Sequence, residues 1–175
     1  MLQNMKCVLG LFMLCLLACT ENKYAGIPEK YHALLDQALV KAGDNATELT
    51  AALKNAPDNQ KEGMAFLIAY MPERDLKELT ADFLLENTAY AYQAREKYVW
   101  ASEIPDTVFL NDVLPYVSLN ETREGWRKEF YERFGKYVQH CKTIFEAIDS
   151  VNRNVRDEVL VDYNTKREKP DQSPF

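Results

Sequence analysis

The sequence predicts a mainly α fold, a multi-helix bundle-like domain with one short C-terminal β-strand. Three observations predict it. Apolar residues recur at i, i+3, i+4 and i+7 along most of 28–156, which is the period of one helix face. Proline, Asn, Ser and Thr stand at the starts of these stretches, where helices begin. Strand-like alternation is confined to 159–163, too little to build a sheet of its own.

The chain begins with a leader. Residues 1–6 carry one positive charge, Lys6, and residues 7–18 read CVLGLFMLCLLA without a polar break. That run is too short for a bilayer core, which takes roughly 20 helical residues. A short basic start, an apolar core and small residues at the exit describe a signal peptide over 1–18. The exit, Leu16-Leu17-Ala18-Cys19, looks like the lipobox of bacterial lipoproteins. Cys19 is then the lipidation site, 19–27 a lipidated tether, and membrane lipid the partner held through Cys19. Each buried acyl CH₂ contributes about 0.8 kcal/mol, and more than one chain makes such an anchor stable. The alternative is an ordinary signal peptide in which Cys19 is incidental. Thr20 is not the aspartate that retains lipoproteins in the inner membrane of many Gram-negative bacteria. In such a host the expected location is the cell envelope, lipid-anchored at the outer membrane.

The helical domain spans 28–157. Pro28 suits the first turn of helix one. Tyr31, Leu34, Leu35, Ala38, Leu39 and Ala42 form its apolar face, and Gly43 ends it. Asn45, with Glu48 three residues on, reads as an N-cap and capping box for a helix to about residue 55. Pro57 and Asp58 start the next. Its run GMAFLIAYM, 63–71, is apolar all round, the mark of a helix inside the core, and Pro72 ends it. Thr80 caps a longer helix over about 81–100, with Leu84, Asn87, Ala91, Ala94 and Tyr98 facing inward. A buried amide must be hydrogen-bonded, so Asn87 is either a structural clasp or a group facing a site. A shorter helix follows over 105–114, stopped by Pro115. Ser118 and Glu121 form a second capping box for a helix reaching Cys141, which Gly135 is placed to split. The last helix, 143–156, buries Ile144, Ile148, Val151 and Val155.

Composition excludes some functions. Lys and Arg number 21 against 27 Asp and Glu, for a net charge of −6, and no basic cluster stands apart from acidic neighbours. Nucleic-acid binding rests on neutralising phosphates, so nucleic acid is not expected as a partner. Of the four cysteines, Cys7 and Cys15 leave with the leader and Cys19 carries lipid. Cys141 remains, without a partner for an internal disulfide. It continues the stripe Trp126, Phe130, Phe134, Tyr137, Val138 and reads as a core thiol. Its neighbour His140 points about 100° away around the helix, a poor geometry for a nucleophile–base pair. With His32 the only other histidine, no metal site is expected, and no cofactor. The sequons at Asn45 and Asn120 read as chance.

A family resemblance enters on particular residues. The stretch NDVLPYVSLNETREGWRKEFYERF, 111–134, resembles a segment of bacterial, Bacteroidetes-type transglutaminase-like lipoproteins. In those, a Leu-Pro-Tyr turn leads to a glutamate and then to a Trp-Arg pair. Leu114, Pro115, Tyr116, Glu121, Trp126 and Arg127 match, while Val117 stands where those proteins often carry arginine. FLLENTAYAYQAR, 83–95, is similar to their N-terminal helical part, and 146–174 resembles the helix, strand and loop that enter a papain-like catalytic core. The resemblance implies that 158–175 is the start of such a core, truncated, with a cysteine, a histidine and an aspartate following Phe175. It implies acyl transfer: a thiolate attacks an amide, an imidazole moves the proton, and a carboxylate orients the imidazole. A protein or peptide substrate would meet that missing core. No residue of this chain inherits a catalytic, cofactor-binding or metal-binding role.

Two functions follow. The chain is the helical N-terminal part of a membrane-anchored transglutaminase-like protein, inactive by itself. Alternatively it is a stand-alone lipid-anchored helical binding module. Tyr90, Tyr92, Tyr98 and Trp100 are then candidates for a ligand face, although aromatics at helical spacing also serve a core.

Overall fold

A computed structural model describes residues 23–118 and 121–158. The leader, Cys19 and the strand expected at 159–163 lie outside the described residues. Within them the chain is a mainly α, multi-helix domain, with no β-strand among the described residues. In order, the helices are α1 (His32–Ala42), α2 (Ala46–Asn55), α3 (Lys61–Tyr70), α4 (Glu73–Glu78) and α5 (Ala81–Lys97). Then come α6 (Val99–Ser102), α7 (Asp106–Val108) running into a π-turn (Phe109–Val113), α8 (Trp126–Val138) and α9 (Ile144–Glu158).

One device starts four of these segments. Pro28, Pro57, Pro72 and Pro105 all hold φ between −55° and −59° with extended ψ. The ring fixes φ at little cost, and the missing N–H is no loss at a helix start. Each proline carbonyl then accepts the first bond of the turn: from Tyr31 (3.0 Å), Gln60 (2.8 Å), Leu76 (3.0 Å) and Phe109 (2.9 Å). Thr80 caps α5 through its hydroxyl, which accepts from the Phe83 N–H. Gly43 ends α1 at φ 58°, a left-handed conformation that L side chains avoid.

α1 packs on α2, α3 and α4; α2 packs on α3 and α5; α5 carries α8; and α8 pairs with α9. The main core lies among α1 to α5 and includes the fully buried Leu35, Leu49, Met64, Ile68, Leu84 and Leu114. α3 runs through it, as its all-round apolar sequence predicts, with Met64, Ala65, Leu67 and Ile68 all buried. Gly63 lets α3 approach α5: a Cβ there would fall 2.7 Å from the Tyr92 hydroxyl. A second, smaller cluster of Tyr98, Ala101, Val138 and Ala147 joins α8 and α9 to α5 and α6.

Several local expectations are overridden by tertiary partners. The tether residues Tyr24 and Ile27 join the core, and the Tyr24 hydroxyl donates to Asp36 at 2.8 Å. Asn45 and Glu48 make no capping box. The Asn45 amide donates to the carbonyls of Leu76 and Leu79, both at 2.9 Å, and Glu48 accepts the Ala81 N–H at 2.8 Å. Together they pin the α4–α5 junction to α2. The short α4 was not visible as a helix in the sequence. The expected 81–100 helix breaks at Tyr98, whose backbone is extended (ψ 123°) while its ring is buried. The box at Ser118 forms by half: Glu121 accepts the Ser118 N–H at 3.1 Å. The helix starts only at Trp126, because Arg123 is drawn away to Asp75. Gly135 does not split α8; it makes room for the Tyr98 hydroxyl, which a Cβ would meet at 3.2 Å. On α9 only Ala147 is buried, whereas Ile144 and Ile148 are 39% and 51% exposed.

Candidate functional site

Two features stand out, one polar and one apolar. The polar one surrounds the turn at 113–116. Pro115 cannot continue a helix, so the carbonyls of the last turn before it have no helical partners. Arg127, in the first turn of α8, supplies the donors. Its Nη2 bonds the carbonyls of Val113 (2.8 Å), Pro115 (2.8 Å) and, more loosely, Leu114 (3.3 Å). Its Nε donates to the Asn87 side-chain oxygen at 2.7 Å, and the Asn87 amide donates to Leu114 at 3.0 Å. Both ends of Asn87 are therefore occupied by the chain itself, and Asn87 is a clasp. The Trp126 indole N–H donates to the Tyr116 carbonyl at 2.8 Å. Burial pulls the Arg127 guanidinium down to about 10, still charged at neutral pH, and the carbonyl dipoles offset that desolvation.

Beside this clasp lies Asp75, 1% exposed. It takes a two-pronged bond from Arg123 (both prongs 2.9 Å) and a third from the Tyr116 hydroxyl at 2.8 Å. Burial raises the Tyr116 phenol, and its donation to Asp75 raises it further. The bond to Asp75 likewise holds the Arg123 guanidinium above its usual value. Asp75 carried no signal in the sequence, since its partners stand 41 and 48 residues away. The polar groups here are committed to one another, and the arrangement works as a fastener.

The apolar feature is a groove of about 420 Å³ between α5–α6, the π-turn and α9. Ala91, Ala94 and Ala101 form its floor, and Trp100, Ile144 and Ile148 stand over it. The space exists because short alanine side chains face large side chains of α9 that do not reach them. Arg95 is the one charged residue lining it. Its Nη2 bonds the Ile104 carbonyl (2.8 Å) and the exposed Asp106 carboxylate (2.7 Å), and its guanidinium lies 4.5 Å from the Phe109 ring centre. The Trp100 indole N–H is buried without a hydrogen-bond partner. A larger cleft of about 550 Å³ opens beside Tyr24 and Ile27. It is the more polar of the two, and its Lys23 and Lys61 already pair with Asp36 and Asp58.

No protein-family model, curated protein or solved structure matches this chain.

The residues singled out in the sequence divide between these features. Of the four aromatics, Trp100 lines the groove and stacks on Tyr98 at 5.4 Å. Tyr92 packs edge-on against Phe109, and Tyr90 lies tilted against Tyr131. Cys141 sits half-buried at the rim of the second cluster, its thiol directed to the Tyr137 carbonyl at 3.7 Å, while His140 is exposed. His32 bonds the Ile27 carbonyl at 3.0 Å. No group of three or more metal-ligating side chains occurs among the described residues. None of the described helices is long and apolar enough to cross a membrane.

Proposed function

We propose that this chain is the helical N-terminal part of a membrane-anchored transglutaminase-like protein, held in the cell envelope by a lipid on Cys19. In this reading it carries no acyl-transfer chemistry itself and serves as the rigid base for a catalytic core encoded beyond Phe175. The observation that carries it is the clasp. Five of the six residues behind the resemblance meet in one unit: Trp126 and Arg127 close over the turn formed by Leu114, Pro115 and Tyr116. The sixth, Glu121, sits on the connecting loop, its carbonyl bonded by Arg123 at 2.6 Å. A motif made of structural partners is what a scaffold part of a larger enzyme would keep. The test is to sequence past codon 175 and assay both lengths for amine incorporation and amide hydrolysis. Activity only in a longer product, with an in-frame cysteine, histidine and aspartate, is the expected result. Turnover by the 175-residue chain would refute it. Cys19→Ala should abolish lipid labelling and detergent partitioning; unchanged partitioning would remove the anchor.

The groove favours a second reading, a stand-alone lipid-anchored binding module. An authentic stop at codon 175 followed by unrelated sequence would decide for it.

A further inference from the structure

We propose that the groove between α5–α6 and α9 binds a free medium-chain fatty acid. This inference stands apart from the acyl-transfer reading, because it concerns a different surface and needs no covalent step. A volume of about 420 Å³ lies within the range of small-molecule sites, roughly 300–1,000 Å³. Apart from Arg95 and Asn152, the lining is alanine, valine, isoleucine and aromatic surface, which suits an alkyl tail.

The polar features select the head group. Arg95 is the one charged residue of the lining, and it is positive. Its anionic partner, Asp106, has a side chain 84% exposed, and an ion pair so open to water is worth little. A ligand carboxylate can therefore share or replace Asp106 at the guanidinium. Tail and head thus match one class of molecule, an anionic amphiphile with a single chain. A phospholipid has two tails and a bulkier head, and is the competing source that the experiment separates.

The experiment titrates the full chain with laurate below its micelle concentration, read by tryptophan fluorescence and by calorimetry. Lauryl alcohol and phosphatidylglycerol vesicles serve as the other arms. Laurate should saturate, change the Trp100 emission, and bind about tenfold tighter than the alcohol, the factor expected from one charge-assisted contact. Arg95→Gln should erase that preference and Arg95→Lys should retain most of it. Ile148→Glu places a charge in the groove at a half-exposed position and should abolish saturation; Ile144→Glu replaces it if the first variant fails to fold. Laurate binding that survives both glutamate variants lies elsewhere and overturns the proposal. Equal affinity for laurate and the alcohol, or binding to vesicles only, also overturns it.

Discussion

Arg127→Met tests whether the clasp holds the domain together. The substitution keeps the aliphatic stem and removes the guanidinium. It strands three acceptors, the Asn87 side-chain oxygen and the carbonyls of Val113 and Pro115, and leaves the Leu114 carbonyl to the Asn87 amide alone. Hydrogen bonds to a charged group are each worth about 1.5–3 kcal/mol. Three such values cannot simply add, since a whole domain is stable by only about 5–15 kcal/mol. Removal of the buried charge also returns part of its desolvation cost. The expected net loss is about 3–5 kcal/mol, the range for breaking a buried charged network on one side. Urea unfolding followed by far-ultraviolet dichroism measures it. With a slope of about 1–3 kcal/mol per molar urea, the midpoint should fall by about 2 M at constant slope. Arg127→Lys should recover less than half, because an ammonium lacks the fork that reaches several oxygens. A double-mutant cycle with Asn87→Ala should show coupling above about 0.5 kcal/mol. A loss under about 1 kcal/mol, or full rescue by lysine, would refute the clasp as the main fastener.

Asp75→Asn keeps the shape but leaves Arg123 without its charge partner; it should cost about 3 kcal/mol in the same assay, and a neutral result would show the pair to be dispensable. Burial and donation to Asp75 raise the Tyr116 phenol above its ordinary value of 10.0, so its contribution is complete below pH 10 and is lost as pH rises beyond that. Stability should therefore fall from pH 9 to 11.5 less steeply in Tyr116→Phe than in the parent, and parallel slopes would count against it. Gly63→Ala places a methyl 2.7 Å from the Tyr92 hydroxyl; crowding of about 1–3 kcal/mol should outweigh the better helix propensity, and Tyr92→Leu should relieve it. Cys141 should react with a thiol reagent more slowly in the folded chain than in urea, and equal rates would show that its thiol is fully open.

The helix starts were legible because their causes are local. Pro28, Pro57, Pro105 and Thr80 act through their own ring or hydroxyl and the next few residues, and Gly43 through its own φ. Asn87 was legible as an amide that needs partners, because it faces inward, but the sequence left clasp and site-facing group open and could not name Arg127. Asn45 and Glu48 misled for the opposite reason. Their spacing fits a capping box, but carbonyls at Leu76 and Leu79 and the N–H of Ala81 compete for the same atoms from 31 to 34 residues away. Asp75 was invisible because a carboxylate in a six-residue helix with charges of both signs around it looks like any solvated charge. The groove was equally invisible. The α9 stripe announces a buried face, and only the facing alanines of α5 and α6 reveal that the burial is incomplete.

Because apolar burial is divided between a large cluster and a small one, the protein does not resist opening evenly. The helices from α1 to α5 share one extensive core, whereas α9 reaches the rest through Ala147 and partly covered neighbours. Regions with few buried contacts open at a fraction of the global free energy. α8 is fastened at its first turn by Trp126 and Arg127 and held more lightly toward Val138. The α8–α9 hairpin is therefore expected to open as a separate foldon, peeling from its α9 end toward Trp126. Amide protons of α9 should exchange by sub-global opening, in a regime where those of Leu49, Ile68 and Leu84 still wait for the whole domain to unfold.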